Sequence, residues 1–174
     1  MEEALDDLHV TAGDPSAAPV TLTASAYMQL RRVYTPAAVT CEAVARLPEV
    51  RGDTLTFTNP EETGNTDERS QIAFLPPGRV LFTTSQLAFR SQEQDVRLAF
   101  DRLGGTLEEG GAGMRRVAMS RFYVLSGYLG DMIREFRFDY LDKSHPPADT
   151  VVELEGLPSL DASFAVDVVA VPER

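Results

Sequence analysis

Three charged side chains stand at or inside segments that the sequence otherwise predicts to be β-strands. Arg121 and Asp167 each interrupt an apolar run, and Asp149 follows the dipeptide Pro147-Ala148 at the start of another. Carboxylates can carry protons to and from a substrate, and a guanidinium can anchor an anionic group. Two acids and one arginine therefore suit proton transfer on a neutral or cationic small molecule.

Each of these residues also has a structural interpretation. A buried arginine is unfavourable unless it is paired, so Arg121 is either an anion clamp or part of a salt bridge to Asp149, Glu153 or a neighbouring subunit. Asp167 would serve as an acid or base if it is buried alone, whereas a partner such as Arg121 would keep it charged and structural. Asp149 could orient a water, accept a proton or bind an amine, or it could cap the turn that precedes it.

Two helices are predicted from apolar residues at helical spacing. The first would begin with Ser91-x-x-Gln94, which has the form of a capping box, and would end at the glycines of 110–113. Its apolar stripe comprises Val96, Phe100, Leu103 and Leu107, and that of the second helix comprises Leu129, Met132, Ile133, Phe136 and Tyr140. Earlier in the chain, 37–46 could form a short helix with Thr35 as N-cap and Pro36 at the first position.

The strands are predicted from alternation and from short apolar runs. In 117–124, Val117, Met119, Arg121 and Tyr123 would point one way, and Ala118, Ser120, Phe122 and Val124 the other. Residues 71–75 and 79–82 flank Pro76-Pro77-Gly78 and suggest a β-hairpin. Strands are also expected at 54–58, 151–154 and 164–171.

The predicted order is ββ-α-β-α-ββ, which indicates an α+β fold with a mixed sheet of five or six strands. Two amphipathic helices would cover one face of that sheet. Apolar residues point to both sides of the last strands, so we expect self-association to bury the second face.

Composition narrows the classes of function. The chain has 174 residues, 43% of them hydrophobic, and a net charge of −11, which disfavours binding to nucleic acid or anionic membranes. A single cysteine, Cys41, and an acidic N-terminus lead us to expect a cytoplasmic protein without a membrane span. His9 and His145 are far apart in sequence, so we predict no metal site. We predict no cofactor.

Several motifs, in their order along the chain, resemble those of the Rid/YjgF family, the reactive-intermediate deaminases. Residues 78–86 (GRVLFTTSQ) resemble a Gly-x-hydrophobic run ending in Ser-Gly-Gln, with Ser85 at the family glycine. Residues 147–154 (PADTVVEL) resemble Pro-Ala-Arg-Ser followed by a strand, and 165–170 (AVDVVA) resemble the closing strand. The similarity spans 68–172. It divides the chain into an N-terminal extension, 1–66, partly disordered or packed on the core, and a Rid-like domain, 67–174.

The resemblance implies a chorismate-mutase-like fold, a homotrimer and small-molecule pockets between subunits. It also implies hydrolysis of enamines or imines to a keto acid and ammonia, with the family arginine clamping the substrate carboxylate. Asp149 stands where that arginine would be, and Asp167 matches a family glutamate that helps position water. Ordinary deamination of 2-imino acids is therefore not expected.

We accordingly predict Asp149 and Asp167 as catalytic residues. The predicted substrate-binding residues are Arg121, Arg69, Ser85, Gln86 and Glu153. The predicted function is a diverged Rid-like enzyme that acts on a C=N bond or related reactive intermediate by hydrolysis, tautomerisation, elimination or cyclisation. The alternative is a trimer that kept the fold for ligand binding or as a scaffold and lost the chemistry. RNA binding or cleavage, which the family resemblance also raises, conflicts with the acidic charge.

Overall fold

A computed structural model describes residues 32–33, 44–45, 47–49, 52–59, 69–157 and 159–173. Cys41, His9 and most of the helix predicted over 37–46 lie outside these ranges. The predicted boundary between the N-terminal extension and the domain lies outside them as well.

The described strands are short in the first half of the domain and long in the second. They are β1 (Arg32–Val33), β2 (Thr56–Thr58), β3 (Ile72–Phe74), β4 (Leu81–Phe82), β5 (Gln86–Ala88), β6 (Val117–Val124), β7 (Ala148–Glu153) and β8 (Phe164–Ala170). The helices are α1 (Glu93–Glu109) and α2 (Gly127–Phe136). Two 3₁₀ turns follow α1 and α2, at Met114–Arg116 and Arg137–Asp139.

Six of the described strands form one mixed sheet in the order β1-β7-β6-β8-β4, and β5 also pairs with β8. The central pair β6–β7 is parallel, and the other pairings are antiparallel. β2 and β3 form a separate antiparallel pair. The prediction of an α+β fold with a mixed sheet of five or six strands is confirmed.

Both helices lie on one face of the sheet. In α1 the predicted stripe of Val96, Phe100, Leu103 and Leu107 is buried, as are Leu129 and Ile133 of α2. The Phe100 ring stacks at 6.0 Å from both Phe122 of β6 and Phe164 of β8. Aromatic packing of this kind adds to the burial of apolar area, so these rings hold α1 against the two central strands. We call this side the helix face, and the other side the open face.

Strand β6 alternates as predicted from Met119 onward. Ser120, Phe122 and Val124 are buried on the helix face, and Met119, Arg121 and Tyr123 are half-buried on the open face. The prediction for Val117 is wrong. A register shift between Val117 and Met119 inserts one residue opposite β8, and this bulge turns Val117 into the core beside Ala170.

The predicted hairpin around Pro76-Pro77-Gly78 is also wrong. β3 pairs with β2, and β4 pairs with β8. The two prolines have no amide hydrogen to donate to a strand ladder, and β8 offers β4 a buried, fully extended partner. The turn signature therefore marks a connection between two different sheets.

The predicted capping box does not form. Helix α1 has Gln92 as its N-cap, in an extended conformation and with no side-chain hydrogen bond to the cap. Gln94 instead donates to the side chain of Gln92 at 2.8 Å. The predicted stop is confirmed, because Gly110 ends the helix and Gly111 adopts a φ of 77°, which favours glycine.

Every residue of β8 is buried within the single chain, on both faces of the sheet. The apolar groups of this strand thus need no second subunit to leave water, which removes part of the argument for self-association. The open-face residues of β6 and β7 are mostly half-buried. Among the helices in the described ranges, neither is long and apolar enough to cross a bilayer.

Candidate functional site

Arg121 and Asp167 form an ion pair at the centre of the open face. They are direct cross-strand neighbours on β6 and β8, and the Arg121 Nη1 atom lies 2.9 Å from the Asp167 Oδ1 atom. The Arg121 side chain is 26% exposed and that of Asp167 is 12% exposed. The Asp167 carboxylate is therefore largely screened from bulk water, whereas about a quarter of the Arg121 side chain remains exposed.

Ser85 completes the cluster. Its hydroxyl donates to the second carboxylate oxygen of Asp167, Oδ2, at 3.2 Å. Ser85 itself is exposed. Each Asp167 oxygen thus accepts a hydrogen bond, and the carboxylate is oriented between a guanidinium and a hydroxyl. We call Ser85, Arg121 and Asp167 the open-face cluster.

The cluster has polar and apolar surroundings on the same face. Thr150 of β7 lies beside Arg121 in the parallel pairing, and Met119 lies one pleat away, with its sulfur 3.9 Å from the Arg121 Nη2 atom. Ala165 and Val169, which flank Asp167 on this face, are buried. An oriented carboxylate, a hydroxyl and a partly exposed arginine, next to buried apolar side chains, are groups that can bind a small polar molecule and move its protons.

Asp149 does not belong to this cluster. It lies opposite Ser120 on the helix face, so the thickness of the sheet separates it from Asp167. Its carboxylate lies 3.7 Å from the Arg137 guanidinium, and the two side chains are 8% and 4% exposed. Arg137 also donates to the Arg134 carbonyl oxygen and stacks on the Phe138 ring. Asp149 is thus part of a buried ion pair that joins β7 to the turn after α2.

The cluster includes Ser85 and Arg121 from the predicted binding residues and excludes two others. Gln86 pairs with Val166, and Glu153 pairs with Val124, so both belong to the helix face. The Glu153 Oε2 atom is buried there and has no hydrogen-bond partner among the described residues. Their predicted contact with substrate has no support from this placement.

Arg69 lies at the edge of the sheet. Its neighbour Ser70 bridges to Ala148, and the Ser70 amide donates to the Pro147 carbonyl at 3.2 Å. The Arg69 carbonyl accepts a hydrogen bond from the Asn59 amide at 3.4 Å, which ties it to the β2–β3 pair. Arg69 therefore lies near the start of β7, and its role in binding stays a prediction.

The sequence interpretation missed Thr83 and Arg137. Thr83 contacts the backbone of β8 next to Asp167, and Arg137 pairs with Asp149. Thr83 lies within the 78–86 motif, but nothing in that motif assigned it a role. Arg137 was detectable as a cation between two aromatic residues, Phe136 and Phe138, at the end of the second predicted helix. Across the described ranges, no three His, Cys, Asp or Glu side chains come together as a metal site would require.

No family model and no curated protein matches the chain. Several solved structures match it in fold. A protein of unknown function from Yersinia pestis, YyfB of the conserved Rid protein family, superposes with a TM-score of 0.54 at 19% identity, over 67% of this chain and 97% of the other. The yeast protein YEO7 superposes with a TM-score of 0.51 at 15% identity, over 69% and 100%. The chain therefore has the fold of the Rid family, and the resemblance predicted from its motifs is confirmed at the level of tertiary structure.

Proposed function

We propose that this chain is a divergent Rid-like enzyme whose site is the open-face cluster of Ser85, Arg121 and Asp167. Its substrate would be a small molecule with a C=N bond or a related reactive group. The observation that supports this proposal is the cluster itself, since a guanidinium, a carboxylate and a hydroxyl meet at the centre of the open face beside the buried apolar residues Ala165 and Val169. Charged groups there add little to packing, which favours a role in chemistry.

Hydrolysis of an imine illustrates how the cluster would work. A water oxygen would bond to the imine carbon while the C=N π electrons move to nitrogen. Asp167 would take one proton from that water and pass it to the nitrogen, which gives a carbinolamine. It would then take the carbinolamine hydroxyl proton and deliver it to the amine nitrogen as the C–N bond breaks, which releases a carbonyl compound and ammonia. Arg121 would hold an anionic or carbonyl oxygen of the substrate. The same carboxylate would serve tautomerisation, elimination or cyclisation, which also need a proton moved between two atoms.

The position of Asp149 bears on which substrates fit. The resemblance predicted an arginine at 149 as carboxylate clamp, and here the residue is an acid that neutralises Arg137 on the helix face. Arg121 is then the cation of the open-face cluster that could replace it, but it already shares its charge with Asp167. A substrate with a single weakly charged or neutral polar group suits this arrangement better than a simple 2-imino acid carboxylate.

Assembly into a homotrimer with pockets between subunits is part of the proposal. Arg121 and Tyr123 on β6 and Thr150 on β7 are half-buried, so the open face still has area that a second subunit could cover. A pocket formed there would enclose the cluster and exclude water, which strengthens its electrostatic interactions. Light scattering coupled to size exclusion measures the mass, and a protomer mass at micromolar concentration would contradict the trimer.

A second candidate function has its own observation. The short distance between Arg121 and Asp167 means that each already satisfies the other, as in a structural ion pair. The chain would then be a non-catalytic ligand-binding or scaffold trimer that kept the fold and lost the chemistry. Ligand binding without turnover would favour this candidate over the first.

The test is a turnover panel with the purified full chain. Freshly generated imines and enamines, with and without a carboxylate, are followed by ammonia release and by NMR for deuterium incorporation from solvent. The enzyme proposal expects turnover of at least one substrate and a loss of about 10²-fold or more in kcat/KM for D167N. Ammonia release from 2-iminobutyrate at the rate of a standard deaminase would refute the inference from Asp149.

Two controls separate catalysis from folding. Asp131→Asn makes the same acid-to-amide change in an exposed pair with Arg134 at 3.9 Å, and should leave kcat/KM unchanged. The oligomeric mass and far-UV circular dichroism of D167N should match those of the unmodified chain. Turnover that survives in D167N and R121A alike would overturn the assignment of the site.

A further inference from the structure

The edge of the sheet next to Asp167 contains an extra residue. Phe82 pairs with Val169 and Gln86 pairs with Val166, so residues 83–85 lie opposite only Asp167 and Val168. Three residues facing two define a β-bulge, which interrupts the ladder and changes the direction of side chains. The bulge separates β4 from β5 although both pair with the same strand.

This bulge changes which residues reach each face. Leu81 pairs with Ala170 and Ala88 pairs with Phe164, and all four belong to or pack on the core of the helix face. Ala88 lies seven positions after Leu81, and residues an odd number of positions apart point to opposite faces of an unbroken strand, so such a strand could not place both on one face. The extra residue reconciles them, and as a consequence Ser85 emerges on the open face, opposite Asp167.

Thr83 secures the bulge by replacing a missing backbone acceptor. The Val168 amide donates to the Thr83 hydroxyl oxygen at 3.0 Å, and the Thr83 amide donates to the Val168 carbonyl at 3.1 Å. The Thr83 hydroxyl also donates to the same Val168 carbonyl oxygen, with 3.4 Å between the two oxygens. A hydroxyl that accepts and donates in this way satisfies both backbone groups of the residue next to Asp167.

We infer that Thr83 is a positioning residue for the open-face cluster: it holds the bulge that places the Ser85 hydroxyl on Asp167. The inference rests on the proposed function for its catalytic meaning, but its structural content can be tested without a substrate. Thr83 touches neither Arg121 nor Asp167 by a side-chain contact described above, and it acts through the backbone of Val168. Its loss should therefore disturb the orientation of the carboxylate while leaving the ion pair in place.

The experiment compares T83V, which keeps the shape and lacks the hydroxyl, with T83S, which keeps the hydroxyl. Hydrogen exchange of the Val168 amide, followed by NMR, should be about tenfold faster in T83V and near that of the unmodified chain in T83S. The ¹³C chemical shift of the Asp167 carboxyl should move in T83V toward its value in S85A. In T83S it should stay unchanged.

S85A supplies a second measurement if T83V does not fold. In S85A the Val168 amide should keep its protection, because the Thr83 contacts do not depend on Ser85. Loss of that protection in S85A, or an unchanged Asp167 signal in folded T83V, would overturn the inference. These readouts do not depend on turnover. An inactive chain with the expected NMR changes would therefore refute the proposed function alone, and an active chain without them would refute the positioning role alone.

Discussion

Arg121 and Asp167 face each other across β6 and β8, while the next residue along each strand, Phe122 and Val168, belongs to the opposite, helix-covered core. An ion pair 2.9 Å in length is thereby held by the same two strands that form the centre of the domain. Because both backbones are fixed by the ladder on either side, the pair is held in register by the sheet, and changes at it can be separated from changes in the core.

Replacing Arg121 by Met or Asp167 by Leu should each lower the free energy of unfolding by about 1–3 kcal/mol, because each leaves a largely buried partner charge uncompensated. The double variant R121M/D167L should lose less than the sum of the two, with a coupling of about 1 kcal/mol or more. Urea unfolding of the unmodified chain, R121M, D167L and R121M/D167L gives the four free energies of this double-mutant cycle. Additive losses would mean that the pair contributes no net interaction in the folded chain.

Asp149→Asn should destabilise the domain more than R121M does, by about 3–5 kcal/mol, because its partner Arg137 is only 4% exposed. The same urea titrations measure this difference. If any substrate of the turnover panel is processed, D149N should retain its kcat/KM at a temperature where it is fully folded. A selective loss of turnover in stable D149N would return Asp149 to the catalytic site.

Tyr140 should make the domain sensitive to alkaline pH. Burial raises the pKa of Tyr140 above its ordinary value, and the Asp101 carboxylate, which accepts from the Tyr140 hydroxyl, adds to this increase. The folded chain then keeps a proton that the unfolded chain releases, so the stability from this group is complete below about pH 10 and is lost as the pH rises through the folded pKa. Y140F keeps the ring packed 5.0 Å from Phe100 and should show a flatter dependence of Tm on pH between about 9 and 11. An equal dependence of Tm on pH in Y140F and in the unmodified chain would show that Tyr140 is not the group responsible.

Asp142 should contribute to stability at neutral pH and lose that contribution in acid. Burial opposes its ionisation, but the Ser144 amide at 2.8 Å and the His145 ring at 3.2 Å outweigh burial and lower the pKa of Asp142. Its stabilisation is therefore present above about pH 4 and is lost as the pH falls through the lower, folded pKa. D142N should cost about 1 kcal/mol at pH 7 and less at about pH 3, as chemical unfolding at the two pH values would show. The same loss of stability in D142N at both pH values would contradict the proposed role of the Asp142 carboxylate.

Two glycines of the α1 region should respond in opposite directions to alanine. Gly105 lies inside the helix with nothing within 4 Å of an added Cβ atom, so G105A should raise the free energy of unfolding by about 1 kcal/mol. Gly111 has a φ of 77°, a conformation that alanine disfavours. G111A should therefore lower the free energy of unfolding by about 1–2 kcal/mol. Thermal unfolding measures both, and a stabilising G111A would contradict the reason given for the helix stop.

The sequence alone determined the features that depend on local periodicity. Apolar residues at helical spacing placed the stripe of α1 correctly, and alternation from Met119 placed Arg121 on the face opposite Phe122. The order of the motifs led to the Rid fold. Such features are predictable because the side chains of a helix or strand are directed by the residues next to them in sequence.

Only the tertiary structure decided which charges meet. The register of β6 against β8 pairs Arg121 with Asp167, and the register of β7 against β6 sends Asp149 to the helix face and to Arg137. The bulge at Ala118 reverses the alternation that the sequence suggested for Val117, and the bulge at 83–85 brings Ser85 to the open face. A shift of one residue turns a strand's side chains to the other face, and register is set by pairing between segments distant in the chain, so no local pattern could supply it.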